Sequence, residues 1–146
     1  MRPKISLLLL TRDRYAMTAY CLANILKNTG DIDYELLILD NGSSDSRIIN
    51  LGKEVAKDNW SCNLTNTGVA QGFNALLSSS NADYFCFIYP DMIVSKNWLV
   101  DLVHFNQEID KSGLTSIHCE GEKGIFTSLL SKDDGFTHVW KTKSNV

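Results

Sequence analysis

Short apolar runs alternate along the chain with stretches in which apolar residues recur every three or four positions. The first pattern belongs to strands covered on both faces, the second to helices with one buried stripe. Ile5 to Leu10, apolar apart from Ser6, predicts the first strand. Tyr15, Leu22, Ile25 and Leu26 then recur at helical spacing, and Gly30 supplies the stop. Glu35 to Leu39 predicts a second strand ending at Asp40. Asn41-Gly42-Ser43-Ser44-Asp45 is turn chemistry, with Ser44 or Asp45 placed to cap a helix that buries Ile48, Leu51 and Val55. A short strand over Trp60 to Thr65 follows, and then a loop and helix start over Asn66 to Gly72. In that helix Ala70, Phe73, Asn74 and Leu77 share one stripe. Tyr84 to Tyr89 predicts another buried strand, and Asn97 caps a helix carrying Trp98, Leu102, Val103 and Ile109.

This βαβαβαβα order predicts an open, mostly parallel sheet flanked by helices, with right-handed crossovers. After Gly113 the rhythm changes to three strand-like runs, Thr115 to Cys119, Gly124 to Leu130 and Phe136 to Lys141. The last two meet at Lys132-Asp133-Asp134-Gly135, which predicts a short β-hairpin at the edge of the sheet. No repeat, linker or low-complexity stretch divides residues 1–146, so a single domain is expected.

Composition narrows the classes without deciding among them. Hydrophobic residues make up 44% and charged residues 21%, the balance of a globular domain. A net charge of -3 gives no reason to expect nucleic acid or an anionic membrane as partner. The apolar run after Arg2 and Lys4 stops at Thr11 and has no small-residue cleavage site, so it predicts a strand and not a signal peptide. No run approaches the roughly 20 apolar residues of a membrane span. Cys21, Cys62, Cys86 and Cys119 are scattered, two of them in expected core strands, which favours buried reduced thiols and a cytoplasmic setting, free or peripheral at the inner face of a membrane. The sequons at Asn41 and Asn63 would go unused there.

Candidate chemistry gathers at the expected carboxyl ends of the strands, where open α/β sheets bind ligands. Thr11 to Arg14, Asp40 to Asp45, Asn66 to Asn74 and Tyr89 to Asp91 all fall there. Each loop alone reads equally well as a turn or a helix cap, and their joint placement is what points to a site. The first strand is followed by neither G-x-G-x-x-G nor a G-x-x-x-x-G-K-S/T loop, so dinucleotide-dependent dehydrogenases and P-loop enzymes fit poorly.

Over its first hundred or so positions the chain resembles the family 2 glycosyltransferases of the GT-A fold, in four ordered blocks. Thr11-Arg12-Asp13-Arg14 after the first strand is similar to a T-x-N-R-like turn. Asp40-Asn41-Gly42-Ser43-Ser44-Asp45 resembles D-D/N-G-S-x-D, and Asn66-Thr67-Gly68-Val69-Ala70-Gln71-Gly72-Phe73-Asn74 resembles N-x-G-x-A-x-G-x-N. Tyr89-Pro90-Asp91 stands where D-x-D belongs, with Trp98-Leu99 behind it.

The resemblance implies a GT-A-like (Rossmann-like) domain that holds a nucleotide-diphosphate sugar, with UDP- or dTDP-sugars favoured. It implies inverting, metal-dependent transfer of the sugar to a hydroxyl of a glycan, lipid-linked or protein acceptor. Asp40, at a polar strand end near solvent, would accept from the imide N–H of the base, and Thr11 and Asp13 would line the base and ribose pocket. Asn66 and the Gly68 backbone would approach the nucleotide, while Asn74 serves as a ligand contact or a brace of the loop. Asp91 would hold Mn²⁺ or Mg²⁺ on the diphosphate.

Two departures stand out. Tyr89 replaces the first acid of D-x-D, and the chain lacks a convincing catalytic base together with part of the usual C-terminal acceptor region. Asp133 and Asp134 are the nearest acidic pair for that base, although Asp-Asp-Gly is first a turn signal. His104, His118 and His138 belong to no ligand cluster, and Glu120 and Glu122 read as loop decoration. A non-catalytic module that binds sugar nucleotides or a partner protein is the main alternative. A nucleotidyltransferase, which would open with a glycine- and arginine-rich loop, is the third.

Overall fold

A computed structural model describes residues 5–108, 114–118 and 125–131. Strands β1 (Ile5–Thr11), β2 (Glu35–Asn41), β3 (Trp60–Asn63) and β4 (Tyr84–Ile88) run parallel. Helices α1 (Tyr15–Asn28), α2 (Ser46–Ala56) and α3 (Val69–Ser78) connect them, with a 3₁₀ turn at Lys57–Asn59. Helix α4 (Trp98–Glu108) leads to β5 (Leu114–His118) and β6 (Ile125–Ser131), and the sheet order is β3-β2-β1-β4-β6-β5. Strand β6 is antiparallel to both β4 and β5, so among the described strands β5 lies at the end of the sheet and β6 inside it. The expected pairing of β6 with 136–141 lies outside the described residues, as does Ile109.

The run Leu7-Leu8-Leu9-Leu10 is apolar at every position because both faces of β1 are covered. Leu7 and Leu9 join Leu22, Ile25, Trp98, Leu99 and Leu102 under α1 and α4, together with Ala56 of α2. Leu8 and Leu10 join Leu37, Leu39, Phe73, Leu76 and Phe87 under α3. Each fully buried leucine contributes roughly 1.5–3 kcal/mol, so this central strand anchors both layers. Buried Ser6 is satisfied at the opposite end of the strands, where it meets the Glu35 carboxylate and Ser80 Oγ.

Local signals explain most element ends. Asp45 is the N-cap of α2, its side chain accepting from Arg47 N–H. Helix α1 stops at Asn28, Thr29 Oγ1 donates back to the Ile25 carbonyl, and Gly30 turns the chain at φ 83°. Asn97 is also left-handed, at φ 63°, and its carbonyl accepts from Asp101 N–H as α4 begins.

Three expectations about exposure need correction. Leu26 is exposed. On α3 the buried stripe is Gly72, Phe73 and Leu76, while Ala70 and Asn74 face solvent. Helix α3 can turn this way because Gly72 presses on Leu10, whose Cδ1 would lie 2.5 Å from an added Cβ. Cys21 and Cys86 are buried free thiols as expected, but Cys62 is exposed on β3. Among the described residues no helix is long and apolar enough to cross a membrane.

Candidate functional site

Parallel pairing brings the carboxyl ends of β1, β2, β3 and β4 to one side of the sheet, at Thr11, Asn41, Asn63 and Ile88. The four loops that leave these ends surround a cleft of about 330 Å³. Leu10, Thr11, Arg12, Arg14 and Met17 line it from β1 and the start of α1. Asn41, Asn66 and Val69 line a second side, and Tyr89, Pro90 and Asp91 a third.

The loop after β1 is held by its acid. Asp13 Oδ1 accepts from Ser44 N–H at 2.8 Å, Ser44 Oγ at 3.1 Å and Asp45 N–H at 3.4 Å, while Asp13 N–H donates to Ser43 Oγ. The bond from the Ser44 amide is the main reason the Asp13 carboxyl titrates below its ordinary range. Asp13 and Arg14 are both left-handed, at φ 52° and 53°. For residues with a Cβ that conformation costs roughly 1–2 kcal/mol each, and such strain concentrates where a site must be held in place.

Asp40, expected near solvent, is only 1% exposed. Its Oδ1 accepts from both the amide and the hydroxyl of Ser43, which closes the turn over the strand end. Asn41 is likewise buried and makes five bonds with its amide. Its Oδ1 accepts from Asn63 Nδ2, Thr67 N–H and Thr67 Oγ1, and its Nδ2 donates to Asn66 Oδ1 and the Gly68 carbonyl. An amide suits this position because it offers donors and acceptors at once. Gly42 (φ 78°) lets the two loops touch, since a Cβ there would lie 2.6 Å from the Thr65 carbonyl carbon.

The third side rests on sulfur and aromatic contacts. Tyr89 packs edge-on against Phe73 at 5.3 Å. Its N–H donates to Met92 Sδ, its carbonyl accepts from Met92 N–H, and the Cys21 thiol donates to the same carbonyl. Burial first, and the Asp91 charge second, push the Tyr89 phenol above its usual value. Burial likewise raises the Cys21 thiol to about 11, so it stays protonated as a donor. Asp91 is exposed at the cleft.

Of the residues singled out in the sequence, Thr11, Asn66 and Asp91 reach the cleft wall directly. Asp13 and Asp40 brace its loops. Gly68 (φ 86°) precedes α3, with open space where a Cβ would be. Asn74 is exposed one turn into α3, and its carbonyl accepts from Ser78 Oγ. Asp133, Asp134, Glu120, Glu122, Cys119 and His138 lie outside the described residues. Met17, Asn41 and Val69 were not singled out as site residues. Asn-Gly reads as a turn wherever it occurs, and nothing in a sequence marks an asparagine that serves two loops.

Among the described residues no three His, Cys, Asp or Glu side chains come together as a metal cage. A hard divalent ion that accompanies a diphosphate needs no such cage, because phosphate oxygens and water complete its shell around one or two carboxylates. Asp91 fits that sparse role.

The family model for glycosyl transferase family 2 matches residues 6–128. The chain belongs to this family. No curated protein matches the sequence. The family 2 domain is similar in structure to the mannosyltransferase PcManGT from Pyrobaculum calidifontis, solved in complex with GDP-Man and Mn²⁺, with TM-score 0.72 at 14% identity over 91% of this chain and 46% of that one. It is also similar to S. aureus TarS, with TM-score 0.66 at 20% identity over 84% of this chain and 23% of that one. TarS 1–349 in complex with UDP-GlcNAc gives TM-score 0.65 at 21% identity, over 83% of this chain and 37% of that one. The family 2 chain thus spans less than half the length of these structures, which share with it the GT-A fold.

Proposed function

We propose that this domain forms the donor site of a metal-dependent, inverting glycosyltransferase that takes a UDP- or dTDP-sugar. The observation that carries the reading is the convergence of Thr11, Asn66 and Asp91, from three distant loops, on one cleft at the carboxyl edge of the sheet. PcManGT and TarS 1–349 are described with sugar nucleotides, which supports a ligand of this class.

In this reading the base enters against the β1 and β2 ends. Asp40, with Oδ1 held by Ser43 and its side chain 1% exposed, accepts from the imide N–H in this reading once the turn over the strand end moves aside. Thr11, on the cleft wall, and Asp13 at its loop frame the base and ribose. Asn66 and the Gly68 backbone approach the nucleotide, with Gly68 leaving room for it. Asn74, exposed on α3, serves as a ligand contact or a brace of the loop. Asp91 would hold Mn²⁺ or Mg²⁺, which when bound would supply charge stabilisation for the departing diphosphate. An acceptor hydroxyl attacks the anomeric carbon, the bond from that carbon to the diphosphate oxygen breaks with its electron pair leaving on the nucleoside diphosphate, and the hydroxyl proton passes to a base. Asp133 and Asp134 remain the candidates for that base.

The test is nucleotide release from a panel of UDP-, dTDP- and GDP-sugars with Mn²⁺ or Mg²⁺, with and without sugar acceptors. Asp91→Ala is expected to lower the rate about a hundredfold or more, while nucleotide affinity falls less. A folded, nucleotide-binding wild type that turns over no donor would make the domain a binding module instead.

A further inference from the structure

The lining of the cleft carries more positive than negative charge. Arg12 and Arg14 line the same wall, and Asp91 is the one acidic residue among the described lining residues. The neutral phenol of Tyr89 occupies the place of a second acid. Arg12 and Arg14 are both exposed, and among the described residues the one ion pair joins Arg47 to Asp45, outside this cleft. The acid next to Arg12 in sequence, Asp13, accepts hydrogen bonds from Ser44 and Asp45 and also attracts Arg12, without an ion-pair contact.

The backbone reinforces this arrangement. Arg14 stands in the left-handed region at the N-cap of α1 with no side-chain cap bond, so it does nothing there for the helix that a smaller residue would not do better. Its conformation is held by the Asp13 clasp to the 43–45 turn, and the clasp fixes the segment that carries both arginines.

We infer that Arg12 and Arg14 form a binding site for the diphosphate of the donor, one that works without a divalent cation. This rests on the donor-site reading and adds to it the groups that recognise the phosphates. Guanidinium groups suit the task because each offers planar, paired N–H donors that match phosphate oxygens, at a charge that does not titrate. With one carboxylate present, a bound cation and two arginines together offset the diphosphate. Without the cation, the arginines still leave the lining at a net charge of +1, which attracts the anion. The consequence is affinity for nucleoside diphosphate that survives chelation.

The experiment is calorimetric titration of the full chain in EDTA with uridine, UMP, UDP and inorganic pyrophosphate, compared with Arg12→Gln, Arg14→Asn and the double variant. Asparagine is chosen at position 14 because it tolerates the left-handed backbone, and circular dichroism checks each fold. Wild type is expected to bind UDP more tightly than UMP, and UMP more tightly than uridine. Each substitution should weaken UDP roughly tenfold, the double variant should bind UDP no better than uridine, and uridine affinity should not change. Lysine at both positions should restore part of the loss. Equal UDP affinity in wild type and double variant would overturn the proposal, as would a wild type that binds neither UDP nor pyrophosphate in EDTA. Arginine-dependent binding of pyrophosphate with no binding of any nucleoside would uphold the anion site and refute the donor reading instead.

Discussion

The Asp13 carboxylate accepts from two backbone amides and a hydroxyl of the 43–45 turn, and each of those bonds favours its ionised form. Its folded pKa therefore lies below the ordinary value of 3.8. A depressed acid stabilises the fold fully above its unfolded pKa, and that contribution is lost as pH falls through the folded value. Asp13→Asn keeps an acceptor but removes the charge. Melting temperatures should put the variant below wild type at neutral pH, with the gap closing as pH drops beneath 3.8. A gap that stays constant down to pH 2 would mean that the carboxylate charge contributes nothing. Little of this was legible in the sequence. Thr11-Arg12-Asp13-Arg14 could be matched to a motif, but a left-handed Asp-Arg pair is a compromise between strand end, helix start and the neighbouring turn, and only their meeting reveals it.

At the scale of elements, helix α2 shows how one small residue sets a packing distance. Gly52 lies in the helix interior, where alanine ordinarily stabilises by up to ~1 kcal/mol. Here a Cβ would fall 1.9 Å from the indole ring of Trp60, which opens β3. Gly52→Ala must push the tryptophan off the helix, so the sign should reverse to a loss of about 1–3 kcal/mol, read from urea unfolding. A stabilised variant would contradict this close contact between α2 and β3. Elements of this kind were partly readable. Runs such as Leu7 to Leu10 announce a strand because both its faces are covered, and Asp45 announces a helix start because its side chain has a backbone N–H to satisfy. On α3 the spacing of Ala70, Phe73, Asn74 and Leu77 predicts one stripe, whereas the helix turns Gly72, Phe73 and Leu76 to the sheet. A glycine in mid-helix was the available signal.

For the whole molecule, the parallel register of β1, β2 and β4 does what no single motif can. It brings residues as distant in sequence as Thr11, Asn66 and Asp91 to one cleft, at the edge where open α/β sheets take their ligands. That convergence could be anticipated from strand order, whereas the burial of Asp40 and the double service of Asn41 could not, since both depend on how two loops interlock. The central claim is that this cleft holds a nucleoside diphosphate. Calorimetric titration with UDP, dTDP and GDP, each with and without Mn²⁺, tests it most directly. One site per chain is expected, tighter for at least one of the pyrimidine nucleotides than for GDP, and strengthened by the cation. At a hundredfold excess of ligand over Kd the fold should gain ~2.7 kcal/mol, which a parallel melting experiment reads independently. The absence of saturable heat and of any melting shift with all three nucleotides, in the presence of Mn²⁺, would contradict the account.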